Sequence, residues 1–142
     1  MRLAAASLSA VLALACTSKP AAAEEKGSLT YQLEVPPGPL KIKKGEQGAF
    51  KLTIKPQDGS HVDPRAPLNF AVKAGGAVAL TKASLVHADG KELPTKALEF
   101  EVPFTAKAAG KDEIKVHADF YLCTPKICER QLADVAVAVL IE

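Results

Sequence analysis

The chain has 142 residues, of which 48% are hydrophobic, so it is long enough for one buried core and short for two domains. Its 18 basic and 16 acidic side chains leave a formal net charge of +2, and no run of like charges occurs. This balance does not favour nucleic-acid binding, and we expect no nucleic-acid partner.

The amino terminus predicts export. Arg2 precedes an uncharged apolar run that ends in small residues at Ala15 and is followed at once by polar residues. The run is shorter than the roughly 20 residues that cross a bilayer as a helix. We therefore predict that residues 1–15 are a signal peptide that is removed.

The junction Ala13-Leu14-Ala15-Cys16 resembles the lipobox of bacterial lipoproteins, which are cut before a cysteine that carries diacylglycerol. The resemblance implies that Cys16 is the lipid attachment site and that the protein is held on a membrane. Thr17 rather than Asp follows the cysteine, which by the sorting rules of that class implies the outer membrane, facing the periplasm. The alternative is an ordinary signal peptide that is cut later, for instance after Ala23. The cysteine count favours lipidation, because it leaves an even pair.

Residues 16–28 are rich in Ala, Glu, Lys, Ser and Pro without apolar periodicity, which predicts a flexible tether ahead of a folded domain at 29–142. Within that domain apolar residues alternate with polar ones, as in half-buried strands. No window keeps the spacing of an amphipathic helix. We predict an all-β, immunoglobulin-like antiparallel sandwich of seven or eight strands. The runs that carry this prediction are 29–35, 50–54, 68–72, 98–104, 114–122 and 135–141, with shorter candidates at 78–80 and 84–86.

The run 114–122 also predicts which side chains face the core. Phe120 and Leu122 fall on the inner face, so Tyr121 and Cys123 fall on the outer one. Cys128 follows after a turn-like insertion, and in an oxidising compartment it should form a disulfide with Cys123.

Three roles are open for this pair of cysteines. A bridge that closes about six residues stabilises a fold by only about 2 kcal/mol, which leaves room for an inert turn clip or a redox bond. Lys126 and Arg130 would favour a thiolate, and Glu129 would partly offset them. Metal binding is the third role, with His117 as the only further ligand on that face, but the ligand set is incomplete. We therefore predict no metal and no cofactor.

Three segments resemble the amino-terminal periplasmic domain of the thiol:disulfide interchange protein DsbD. They are Thr53-Ile54-Lys55-Pro56-Gln57-Asp58-Gly59-Ser60-His61-Val62, then Ala66-Pro67-Leu68, and Phe120-Tyr121-Leu122-Cys123-Thr124-Pro125-Lys126-Ile127-Cys128. The resemblance implies an immunoglobulin-like fold, with Cys123 and Cys128 as a redox pair that exchanges electrons with a periplasmic thioredoxin-like protein. His61 matches the Gly-x-His segment of that family, where a structural hydrogen bond is the expected role.

The sequence also departs from that family. Glu129-Arg130-Gln131 replaces a Pro-rich stretch after the second cysteine, and no Cys-x-x-Cys occurs. The chain ends after the last strand, so we expect a stand-alone module that depends on a partner for electrons. The other class that remains is a non-catalytic binding or scaffolding lipoprotein. We expect His87 to be an exposed turn residue, and no hydrolase or nucleotide-binding motif occurs.

Overall fold

The computed structural model describes residues 29–57 and 59–142, which form eleven strands and one short 3₁₀ turn at His87–Asp89. The strands are β1 Tyr31–Glu34, β2 Leu40–Ile42, β3 Gln47–Pro56, β4 His61–Val62, β5 Asn69–Ala74, β6 Val78–Leu80, β7 Ser84–Leu85, β8 Gly90–Glu92, β9 Leu98–Ala106, β10 Gly110–Cys123 and β11 Cys128–Ile141.

The strands form two sheets. In the first sheet the order is β1-β3-β9-β6, and β8 also pairs with β9. In the second the order is β2-β11-β10-β5-β7, and β4 also pairs with β10. The described pairings are antiparallel apart from β2 with β11. The predicted all-β, immunoglobulin-like sandwich is therefore confirmed.

The core lies between the two sheets and contains the alternating apolar side chains of both. Phe70 and Phe120 from the second sheet and Phe100 from the first have no exposed surface. The ring of Phe70 lies 4.8 Å from that of Phe100 and 6.1 Å from that of Phe120, measured between centroids. Burial of such rings is the main source of stability in a domain of this size.

The eleven strands exceed the seven or eight predicted because three short ones, β2, β4 and β8, were not predicted, whereas the short β6 and β7 match the candidates at 78–80 and 84–86. A segment of two or three residues has too few alternating positions to give a clear strand pattern in sequence. The last strand is also longer than predicted, since β11 begins at Cys128 and pairs with β10 along the whole length of both. The cysteines therefore stand at the closed end of a long hairpin.

The predicted signal peptide (1–15), the tether (16–28) and the lipid site at Cys16 lie outside the described residues. Among residues 29–57 and 59–142 there is no helix long and apolar enough to cross a membrane.

Candidate functional site

The site is built on the turn that joins β10 to β11. The amide of Thr124 donates to the carbonyl of Ile127 over 2.8 Å, and the Thr124 hydroxyl accepts the amides of Lys126 and Ile127 at 3.3 and 3.2 Å. Pro125 stands at the second turn position, where its fixed φ suits a tight turn. The local sequence therefore brings the two strands back together directly beyond the turn.

The predicted disulfide between Cys123 and Cys128 is present. The two residues are directly opposite in the β10–β11 register, with 4.1 Å between their Cα atoms. Facing residues of an antiparallel pair come closest where they do not hydrogen-bond each other, and a disulfide can join the two strands at such a position.

The two cysteines differ in access to solvent. Cys128 is exposed, whereas Cys123 is only 2% exposed, although the strand pattern predicted Cys123 on the outer face. The predicted phase of the strand holds, since Leu122 faces the core. Cys123 is covered because β4 pairs with the end of β10, with His61 opposite Cys123 and Val62 opposite Leu122. One sulfur is thus carried by a buried residue and the other by an accessible one.

Asp63, directly after β4, is the main residue that the sequence analysis missed. One carboxylate oxygen of Asp63 and the two cysteine sulfurs lie within 4.8 Å of one another, and Asp63 is only 8% exposed. Arg65 donates to the carboxylate from its backbone amide at 2.8 Å and from its guanidinium at 3.3 and 3.2 Å. These hydrogen bonds hold the pKa of Asp63 below its usual value, so the carboxylate is charged at neutral pH.

The sequence contains one indication that Asp63 accompanies His61. Asp63 stands two residues after His61, the spacing that puts two side chains on one face of an extended segment. Nothing local, however, shows that this segment lies against a hairpin about sixty residues further along the chain.

The basic residues that were expected to favour a thiolate are arranged differently. Arg130 makes two hydrogen bonds of 2.9 and 2.6 Å to Asp119, which lower the pKa of that carboxyl group. Glu129 accepts the backbone amide of Leu29 at 3.0 Å. Lys126 is exposed in the turn. The charge of Arg130 is therefore balanced by Asp119, and the carboxylate of Asp63 lies beside the sulfurs.

The three histidines have separate positions. His117 hydrogen-bonds Asp134 through Nδ1 at 2.6 Å and precedes Cys123 by six residues on β10, about 20 Å along the strand, so it is not a neighbour of the cysteines. His87 was expected to be exposed, but it is half-buried and donates through Nε2 to the carbonyl of Ala66 at 2.9 Å. His61 is the histidine that the register brings to the cysteines.

The fold and the site define a disulfide-bonded, immunoglobulin-like β-sandwich domain. No protein-family model matches the sequence, and no curated protein matches it. Several solved structures are similar in fold, and three of them follow. Domains 4 and 5 of the S-layer protein SbsC share 15% identity, with a TM-score of 0.44, over 80% of this chain and 53% of that one.

AggA, the major subunit of aggregative adherence fimbriae type I from Escherichia coli, shares 11% identity with a TM-score of 0.48, over 80% of this chain and 95% of AggA. The alpha-2-macroglobulin of E. coli shares 20% identity with a TM-score of 0.46, over 78% of this chain and 6% of that protein. The chain thus spans about half of the SbsC fragment and a small part of the macroglobulin. The similarity concerns the fold alone.

Proposed function

We propose that this protein is a periplasm-facing lipoprotein that takes part in thiol–disulfide exchange through the Cys123–Cys128 bond. The observation that carries the proposal is the difference in access across that bond, with Cys128 exposed and Cys123 buried beneath β4. The sequence resemblance to the DsbD amino-terminal domain supports it. A bridge across such a short loop contributes only about 2 kcal/mol, so stabilising the fold is a small part of what the bond can do.

Because Cys128 is the exposed cysteine, its sulfur is the one that a partner attacks first. A partner thiolate attacks the sulfur of Cys128, the Cys123–Cys128 bond breaks, and Cys123 leaves with the electron pair. The released thiolate of Cys123 then takes up a proton. A second thiol of the partner then attacks the mixed disulfide, which leaves the domain as a dithiol and the partner oxidised.

The partner that fits this chemistry is a thioredoxin-like protein with a reactive dithiol. The bridge lies at the tip of a hairpin, with Pro125, Lys126 and Ile127 exposed around Cys128. A partner can therefore approach the sulfur without opening the sandwich.

Single-cysteine variants test the proposal. With Cys123→Ser the remaining Cys128 should react with an aromatic disulfide reagent at least ten times faster than the remaining Cys123 does with Cys128→Ser, because only Cys128 is exposed. In cells, Cys123→Ser should accumulate a reductant-sensitive complex with a thioredoxin-like protein, and Cys128→Ser should accumulate much less. The measurements are thiol reaction kinetics and acid-quenched, non-reducing electrophoresis.

The double variant Cys123→Ser/Cys128→Ser is the control and should trap nothing. Both single variants should stay folded, because the lost bond is worth only about 2 kcal/mol. If the single variants are folded but trap no partner, the exchange proposal is wrong. The disulfide would then only pin the turn, and the protein would be a non-catalytic binding or scaffolding lipoprotein.

The anchor has its own test. Cys16→Ser should abolish labelling by a fatty-acid analogue and leave the precursor uncut by the lipoprotein peptidase, because the cut requires a lipid-bearing cysteine. Metabolic labelling with gel mobility measures both effects, and Ser18→Ala is a matched control two residues away. A wild-type protein that is processed without lipid would contradict the anchor and favour cleavage near Ala23.

A further inference from the structure

Three metal-ligating groups converge at the hairpin tip. An oxygen of Asp63 and the sulfurs of Cys123 and Cys128 lie within 4.8 Å of one another. Ligands of a tetrahedral Zn²⁺ lie about 3.5–4 Å apart, given metal–ligand bonds of about 2.0–2.3 Å. Once the bond between the sulfurs is reduced, small movements of side chains are enough to bring these three atoms to that spacing.

Asp63 differs from an ordinary surface carboxylate. It is 8% exposed, and its two oxygens accept hydrogen bonds from the backbone amide and the guanidinium of Arg65. The Arg65 side chain is itself largely exposed, so its guanidinium can move into solvent when a cation takes its place. A buried negative charge next to two sulfurs favours a cation at this position.

His61 is the candidate for a fourth ligand, but its ring nitrogens are not among the atoms that lie within 4.8 Å of one another, so its side chain must turn toward the sulfurs to bind a metal. It is opposite Cys123 in the pairing of β4 with β10, so the two side chains lie on the same face of the sheet. His61 and Asp63 are also two residues apart, a spacing that puts two side chains on one face of an extended segment. Two thiolates, one carboxylate and one imidazole are all ligands that Zn²⁺ takes in proteins.

We propose that the reduced domain binds one Zn²⁺ through Cys123, Cys128, Asp63 and His61, and that the disulfide form does not. Two electrons and two protons from a dithiol convert the disulfide into two thiols, and the metal then displaces both thiol protons. In the oxidised form the sulfurs are bonded to each other, which removes half of the ligands. Because only the reduced form binds, zinc shifts the equilibrium of the pair toward that form.

This inference goes beyond the exchange proposal and needs only a reduced pair, which a chemical reductant supplies. The test uses the chain from residue 16 onward with Cys16→Ser, so that no third thiol competes. After reduction of the protein by a phosphine, Co²⁺ serves as the spectroscopic probe. Thiolate coordination to Co²⁺ produces charge-transfer bands, and a tetrahedral site produces strong bands in the visible range. We expect the reduced protein to bind one equivalent of Co²⁺, which Zn²⁺ then displaces, and the oxidised protein to bind none.

Variants identify the ligands. Asp63→Asn keeps the shape of the side chain and should weaken Zn²⁺ binding at least tenfold, and His61→Ala should do the same. Asp119→Asn, which removes a carboxylate from the same face of β10, should leave the affinity unchanged. Circular dichroism establishes that each variant is folded.

A reduced, folded wild-type domain that takes up no Co²⁺ or Zn²⁺ would overturn the proposal. Equal affinities for wild type and Asp63→Asn would remove the carboxylate from the site, and equal affinities for wild type and His61→Ala would remove the fourth ligand. None of these outcomes bears on the trapping experiment, in which the single remaining cysteine forms a mixed disulfide with a partner and no metal takes part, so the two proposals can fail separately.

Discussion

Replacing Phe120 by Ala should lower the free energy of unfolding by about 3–5 kcal/mol, the largest effect that we expect from one substitution. The ring has no exposed surface and packs edge-on against Tyr31, at 5.0 Å between centroids, and against Phe70. Truncation removes the buried ring and leaves a cavity that the two sheets cannot close. Urea unfolding should show a lower midpoint with an unchanged slope.

Tyr121→Ala is the matched control on the next position of β10. Tyr121 is half-buried on the opposite face of the sheet, so its loss should cost about 1 kcal/mol or less. If Tyr121→Ala were the more costly change, the assigned faces of β10 would be reversed, and Cys123 would point into the core.

Removing the carboxylate of Asp112 should lower the free energy of unfolding by about 2–3 kcal/mol, because hydrogen bonds to a charged group are among the stronger ones. Asp112 lies near the start of β10 and accepts the backbone amides of Gly75, Ala77 and Val78 at 2.9, 3.1 and 2.8 Å. Gly75 and Ala77 belong to the connection between β5 in one sheet and β6 in the other, and Val78 is the first residue of β6. One side chain therefore ties the two layers together.

Asp112→Asn separates hydrogen bonding from packing. The Asn side chain has the shape of the carboxylate, but its NH₂ group cannot accept a hydrogen bond from the backbone amides. Asp112→Asn should therefore lower the free energy of unfolding nearly as much as Asp112→Ala. Gly75→Ala should also destabilise the domain, since an added Cβ would lie 2.2 Å from Oδ1 of Asp112. Glu113→Ala, at a neighbouring exposed position, should change stability by less than about 0.5 kcal/mol. A similarly small cost for Asp112→Ala would mean that water replaces the carboxylate without loss.

The strands and their faces were predictable because they depend on a local property. Successive side chains of a strand point to opposite faces, so the run from Ile114 to Leu122 indicates its buried side without knowledge of any other strand. Short strands such as β4 and β8 have no such pattern and pair with the longer strands β10 and β9. The candidate site likewise has one part that was predictable from sequence and one part that was not. The facing cysteines follow from a tight turn in sequence, whereas Asp63 and His61 reach them only through β4.

The sequence by itself therefore determined the all-β class, the inward faces of the long strands and the pairing of Cys123 with Cys128. Only the tertiary structure decided that Cys123 is buried, that Asp63 and His61 are its neighbours, and that Arg130 pairs with Asp119. The physical reason is the range of the interactions. Alternation and turn closure act over a few residues, but burial and charge pairing depend on which distant segments the two sheets bring together, and no local pattern encodes that arrangement.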